Sequence, residues 1–372
     1  LNFFFFFSTD YEVRRDRWKD VDIAVYYQEE HAYNVDDMIQ SVKSSLDYYT
    51  HHFSPYQYRQ VRILEFPRFA SYAQAFPNTI PFSESIGFIA DVDKDDINYP
   101  YWVTAHEMAH QWWAHQVVGG KVEGCTVMSE VLAQYSSTMV MLKEFGKKVI
   151  KDFMDHNQHS YLQGRTNESL EENPLLYVRP DQGYIHYNKG AVAMYALQDY
   201  LGENRLNKAI SDFTRQYAFQ EAPFTRSVDF YQYIQSATPD SLAYLTEDLF
   251  ERMVVYENRV NDYKVEENDS GQYNLTINLE TRKYEADSLG QEKEIEIRDW
   301  IDVAVIATEY QDGNFERDTL HFKKHMFRQS QTQLKLVVDK KPTKVSVDPY
   351  FKLIDKHRDD NSKSKSLSKV LM

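Results

Sequence analysis

The feature that most constrains this chain is a polar pentad set in an apolar stretch, Tyr101-Trp102-Val103-Thr104-Ala105-His106-Glu107-Met108-Ala109-His110-Gln111-Trp112-Trp113. Histidines four residues apart lie one turn apart on one face of an α-helix, so His106 and His110 can hold one metal ion together. Glu107 is turned about 100° around the helix. That places its carboxylate beside such an ion, where a general base for an activated water must stand. Pro100 suits the first turn, and Gly119-Gly120 is expected to end the helix. The same five-residue pattern also occurs in helices whose histidines have ordinary hydrogen-bond partners. The flanks weigh against that here. Trp102, Val103, Trp113 and Val117 mark a buried helix, and buried histidines beside a glutamate are costly unless a cation partners them. The residues therefore point to a hydrolase that uses one zinc ion.

Composition narrows the alternatives. With 57 acidic against 42 basic side chains the net charge is −15, which argues against nucleic acid and against anionic membrane surfaces. The single Cys125 excludes an internal disulfide and a cysteine-based zinc site. No apolar run reaches the roughly 18 residues of a membrane helix. A length of 372 residues suggests two or three domains. The opening LNFFFFF reads as a strand with no lead-in, so the chain is expected to start inside a larger protein.

Along the chain, strand-like runs at 2–7 and 21–27 occupy the first thirty residues. Helical spacing follows over 34–50, then a short buried strand at 61–66. Pro67, Pro77 and Pro81 predict a loop with one edge strand over 67–85. The aspartates at 91, 93, 95 and 96 read as a solvated acidic loop. From Pro100 to about Tyr256 the period is helical, with Gly146 closing one helix and Gly202 punctuating another pair. Beyond Tyr256 the period becomes two, in five short runs (273–279, 295–297, 301–306, 334–338 and 345–347) that predict a β-sandwich. The Lys-, Ser- and Asp-rich end from His357 is expected to be disordered. The fold class is α+β, divided as 1–30, 31–256, 257–356 and 357–372.

Zinc on two histidines needs a third protein ligand and leaves one position for water. Glu130 is favoured because its helix follows the Gly119-Gly120 break; Glu123 competes but sits in the connection.

These residues also carry a family resemblance. HEMAHQWW, followed by SEVLAQY at 129–135, resembles the gluzincin metallopeptidases of the aminopeptidase N and leukotriene hydrolase type. In that family a glutamate in a segment similar to N-E-x-x-A-x-Y completes the zinc site. Glu130, Ala133 and Tyr135 match it, Ser129 replaces the asparagine, and the spacer from His110 is one residue longer than usual. The resemblance implies a thermolysin-like catalytic domain with a mainly helical continuation, preceded by the tail of an N-terminal β domain in 1–30. Tyr187-Asn188-Lys189-Gly190-Ala191 resembles the family's Y-E-K-G segment, which implies that Tyr187 stabilises the oxyanion; Tyr184 reads as a pocket wall. Pro81 to Phe88 is similar to the G-x-M-E-N segment, keeping Glu84 and Gly87, which implies that Glu84 binds the substrate's α-ammonium group. His115 reads as structural. The wording HEMAHQWWAHQ and SESIGF looks most like peptidase domains that some bacteria fuse behind ABC-transporter permease segments. It implies a membrane-anchored parent with this domain outside the cytoplasm, tethered through segments absent from this chain. The expected activity is that of a zinc aminopeptidase acting on peptides. The alternatives are an endopeptidase, an epoxide hydrolase on the same site, or a non-catalytic module of a membrane transporter.

Overall fold

A computed structural model describes residues 7–93, 96–311 and 314–365. The chain divides into two compact units, Leu1–Tyr161 with Asn173–Glu251, and Leu162–Glu172 with Arg252–Met372.

The first unit opens on a four-stranded sheet of order β1-β2-β3-β4, made by Glu12–Trp18, Val21–Tyr27, Gln60–Phe66 and Thr79–Ser83. β1 runs antiparallel to β2, and the other neighbours are parallel. In β2 the residues Val21, Ile23, Val25 and Tyr27 are buried while Asp22 is exposed. α1 (Val35–His52) packs on β1 and β2, burying Val35, Met38, Ile39, Val42, Leu46 and Tyr49 at helical spacing. Residues 12–27 therefore belong to the same sheet as β3 and β4. Of the expected strand at 2–7, residues 2–6 lie outside the described residues.

β4 is an edge strand of this sheet, which is why Pro81 is tolerated within it. The chain before β4 folds back on its outer side as an antiparallel hairpin. Ser83 N–H donates to Tyr72 O (3.0 Å), Gln74 N–H to Pro81 O (3.1 Å), and Ala73 faces Phe82 across a bridge. Asn78 makes the turn at φ 54°, a left-handed conformation that asparagine accepts readily.

α2 (Tyr99–Ala109) starts on an Asn98 cap whose side chain accepts from Tyr101 N–H at 3.0 Å, with Pro100 in the first turn. It ends at Ala109, with His110 as its C-cap, well before the expected stop at Gly119-Gly120. The cause is tertiary. Trp112 and Trp113 N–H both return to Ala109 O at 2.9 Å, and Ala114 reverses the chain at φ 119°. Both indoles are thereby fully buried, one donating to Ser54 O (2.9 Å) and the other to Ser136 Oγ (2.8 Å). Burial of two large aromatic groups outweighs one or two further helical hydrogen bonds.

α3 (Glu130–Thr166) is broken at Gly146, whose φ of 78° leaves the helical region. α4 (Gly190–Leu201), α5 (Glu203–Tyr217) and α6 (Ser227–Ala237) follow, and short turns occupy 240–251. No helix among the described residues is long and apolar enough to cross a membrane.

The second unit contains two four-stranded sheets. One has the order β10-β6-β5, with β7 also paired to β6; the other has the order β12-β11-β8-β9. Their strands are β5 Met253–Glu267, β6 Tyr273–Ala286, β7 Glu292–Ile295, β8 Asp299–Gln311, β9 Asn314–Phe327, β10 Gln331–Val338, β11 Lys344–Val347 and β12 Ser362–Ser364. Both sheets feed one hydrophobic cluster, through Val254, Leu275 and Ile277 on one side and Ile301, Val303 and Val345 on the other. β5 and β9 escape the period-two reading. β9 is largely exposed and is held by its pairing with β8. Residues 357–365, expected to be disordered, form a short turn and then β12 on the edge of β11, secured by the Arg259–Asp360 ion pair at 2.7 Å. Residues 366–372 lie outside the described residues.

One buried acid in this unit gives a pH signature. Asp348 accepts from the N–H groups of Lys352 (3.1 Å) and Leu353 (2.9 Å), and burial pushes its carboxyl up to about 7 against the pull of Lys352. The folded state then holds a proton that the unfolded chain has released, so this acid lowers stability as pH rises from about 4 to about 7 and has no further effect above. Asp348→Asn keeps an acceptor and suits the positive φ of 41°. It should flatten that part of the urea-midpoint profile, by up to a few kcal/mol at about 1.4 kcal/mol per pKa unit. Equal pH slopes in the two proteins would acquit Asp348.

Candidate metal centre

The end of α2 meets the start of α3. His106 Nε2 lies 3.3 Å from Glu130 Oε2, His110 Nε2 lies 3.4 Å from the same oxygen, and the two ring nitrogens are 3.1 Å apart. Ligands about 2.0–2.1 Å from a tetrahedral zinc stand about 3.3–3.5 Å from one another. Two imidazoles and a carboxylate at these separations fit that ion. Glu130 is the first residue of α3, whereas Glu123 is exposed in the connection.

The early end of α2 also serves the site. The turn at 110–113 brings Trp113 O to 3.0 Å from His110 Nδ1, whose N–H donates to it and leaves the Nε2 lone pair facing the cluster. Burial disfavours a charge on His110, but Glu130 beside it holds the imidazole up at about 9. Burial likewise opposes the charge on Glu130, yet the two histidines hold its carboxyl well below the usual range.

Glu107 is buried, at 6% exposure. Burial raises its carboxyl above the ordinary value, with His110, His106 and the backbone N–H of Ala75 opposing. A carboxyl so raised suits a group that must take a proton and hand it on.

Tyr187 lies in a π-helical turn, Tyr184–Lys189, just before α4. Such turns recur at functional sites. Its ring centroid is 6.0 Å from that of His106, and the charges that act on its phenol are those of Glu130 and Glu107. Tyr187 keeps 39% of its surface exposed; the desolvation of its hydroxyl first, then the charges of Glu130 and Glu107, raise the phenol above its ordinary value. Gly190 permits this closeness, because a Cβ there would meet the Val131 side chain at 2.9 Å. Gln134 Nε2 donates to Tyr187 O at 3.2 Å and holds the turn on α3. Tyr184 stacks on Tyr161 at 6.0 Å.

Two residues acquire a place here that their positions in the sequence did not announce. His186 is buried against Tyr187, with ring centroids 4.4 Å apart, and burial pushes its imidazole down to about 4, so it is neutral. No spacing signal marked it. His115, read as structural, donates from Nε2 to Ala75 O at 3.3 Å. Gln111 adds a second clamp, donating to Phe76 O (3.0 Å) and accepting from Asn78 N–H (2.8 Å). Together they hold the strand at 72–76 beside Glu107.

Glu84 is not brought to this centre. Its carboxylate accepts from Arg68 N–H at 3.1 Å and lies 3.9 Å from His31, which is in turn paired with buried Glu65. β4 separates it from Asn78, the residue bonded to Gln111, by roughly 20 Å at 3.3 Å per residue. The segment facing Glu107 is the other arm of the hairpin, at Ala75. That pairing could not be read from local pattern.

A helix with a His-Glu-x-x-His pentad, facing a glutamate at the start of the next helix, defines a metallohydrolase type of centre. Residues 37–249 match the model of the Peptidase family M1 domain, and the chain belongs to that family. Leucyl aminopeptidase of Saccharolobus solfataricus is 23% identical over 201 residues, 50% of this chain and 24% of the relative. Aminopeptidase M1-C of Oryza sativa subsp. japonica is 26% identical over 189 residues, 48% of this chain and 21% of the relative. Human endoplasmic reticulum aminopeptidase 2 is 22% identical over 212 residues, 54% of this chain and 22% of the relative. The chain thus spans about a quarter of the length of these relatives. Its fold is similar to the crystal structure of Legionella pneumophila aminopeptidase A in complex with aspartic acid, with a TM-score of 0.58 and 16% identity, covering 93% of this chain and 38% of that one.

Proposed function

We propose that this chain is a zinc-dependent peptidase in which His106, His110 and Glu130 hold one ion, Glu107 is the general base and Tyr187 stabilises the oxyanion. The observation that carries this reading is the 3.1–3.4 Å triangle of two ring nitrogens and a carboxylate oxygen, with a buried Glu107 beside it. Zinc, when bound, supplies the Lewis acidity that polarises water and the scissile carbonyl. Glu107 takes the water's proton and passes it to the leaving amine. Tyr187 donates its O–H to the oxygen on which charge develops. The relatives' names favour cleavage at amino ends, with Glu84 the residue expected from its segment to read that end; in the structure Glu84 is grouped with His31 and Glu65. The first unit is read as a thermolysin-like catalytic domain and the two C-terminal sheets as a β-sandwich. The setting proposed for the longer parent, attached to permease segments in a membrane, rests on the HEMAHQWWAHQ and SESIGF wording.

The test is peptide hydrolysis that is lost to a zinc chelator and restored by zinc at one ion per chain. Zinc-loaded chain that cuts no peptide would refute it. Tyr187→Phe should bind peptide almost unchanged while kcat falls about 10²–10³-fold, the cost of removing one oxyanion donor. A near-normal kcat would take Tyr187 out of the mechanism.

A further inference from the structure

In a peptidase centred on His106, His110 and Glu130, the strand beside Glu107 bears on which peptides are accepted. To count from an amino end, a peptidase must recognise an α-ammonium group one residue from the scissile carbonyl. A buried or half-buried carboxylate in that place is the ordinary means, because it pairs with the charge by strong hydrogen bonds. The carboxylates felt by His110, His186 and Tyr187 are Glu130 and Glu107. Both are already occupied, one as ligand and one as base.

The hairpin supplies no third. Residues 69–79 read Phe-Ala-Ser-Tyr-Ala-Gln-Ala-Phe-Pro-Asn-Thr, without an acidic side chain. Where this strand comes to Glu107 it offers the backbone N–H of Ala75, a residue with no polar side chain. Its position is secured by Gln111 and His115, each binding a main-chain carbonyl of the strand. The candidate carboxylates farther along the sheet, Glu65 and Glu84, are engaged with His31 and Arg68. A free α-ammonium arriving one residue from the scissile bond would therefore be desolvated without a partner, which disfavours it. An amide at the same point costs less and can hydrogen-bond.

Resting on the proposed peptidase activity, we infer that this chain acts on polypeptide segments without a free amino end at the site, cutting internal or amino-blocked bonds at least as well as amino-terminal ones. The experiment compares two peptides of one sequence, with free and with acetylated amino ends, on the zinc-loaded 372-residue chain, with products read by mass spectrometry. The expected result is a kcat/KM for the acetylated peptide at least equal to that of the free one, within about threefold error, and products cut away from the ends. The same pair titrated onto Glu107→Gln protein should give Kd values in the same order, so the comparison holds even where turnover is slow. A preference of about tenfold or more for the free amine, or residue-by-residue removal from the amino end, would overturn the inference and leave the peptidase reading intact. Neither cleavage by the zinc-loaded chain nor binding by Glu107→Gln would overturn both. Glu84→Ala should leave the ratio unchanged; a shift in that ratio would restore Glu84 as the amine reader and sink the inference.

Discussion

His110→Ala should take zinc from one ion per chain to a small fraction of that at micromolar metal, with affinity lower by at least about a hundredfold. A zinc site is worth roughly 10–16 kcal/mol, so one of three protein ligands accounts for several kcal/mol, and about 1.4 kcal/mol is tenfold. The geometry makes the loss hard to repair. His110 Nε2 is aimed by its Nδ1–H bond to Trp113 O, and no other imidazole is grouped with His106 and Glu130 among the described residues. Glu130→Ala should behave alike, while Glu123→Ala, in the exposed connection, should hold zinc normally. Titration against a chelator of known affinity measures all three. Unchanged affinity in His110→Ala would refute the centre.

The second large effect separates base from ligand. Glu107→Gln should keep zinc within a few-fold of the parent yet lose about 10²–10⁴ in kcat, since an amide cannot take the proton. The substitution is nearly isosteric, and its oxygen can still accept from Ala75 N–H, so the hairpin should stay in place. A variant that lost its zinc would show Glu107 to be a ligand. One that kept its turnover would show that another group is the base.

Several parts of this protein were legible in its residues. His106, Glu107 and His110 announce themselves because i, i+4 spacing on a helix is local geometry, true before any tertiary contact exists. Glu130 follows from the need for a third ligand on a rigid element, and Tyr187 from the segment around it. The apolar spacing of α1 and the period-two runs of β6 and β8 were readable for the same reason: a buried face repeats with the period of its backbone.

Spacing along the chain thus specifies the candidate ligands and the faces of the regular elements, since both are written at short separations. Where α2 stops is settled in three dimensions, because Trp112 and Trp113 find buried partners at Ser54 and Ser136, dozens of residues away or on another helix. Long-range pairing likewise puts β1 and β2 in the sheet of β3 and β4, and joins 362–364 to β11 although its composition is that of a solvated tail. It also brings the Ala75 N–H to Glu107, while Glu84 groups with His31 and Glu65. A hairpin's register depends on hydrogen bonds between its two arms and on the clamps from Gln111 and His115, and a carboxylate near the right position in sequence can end up at the far end of a strand.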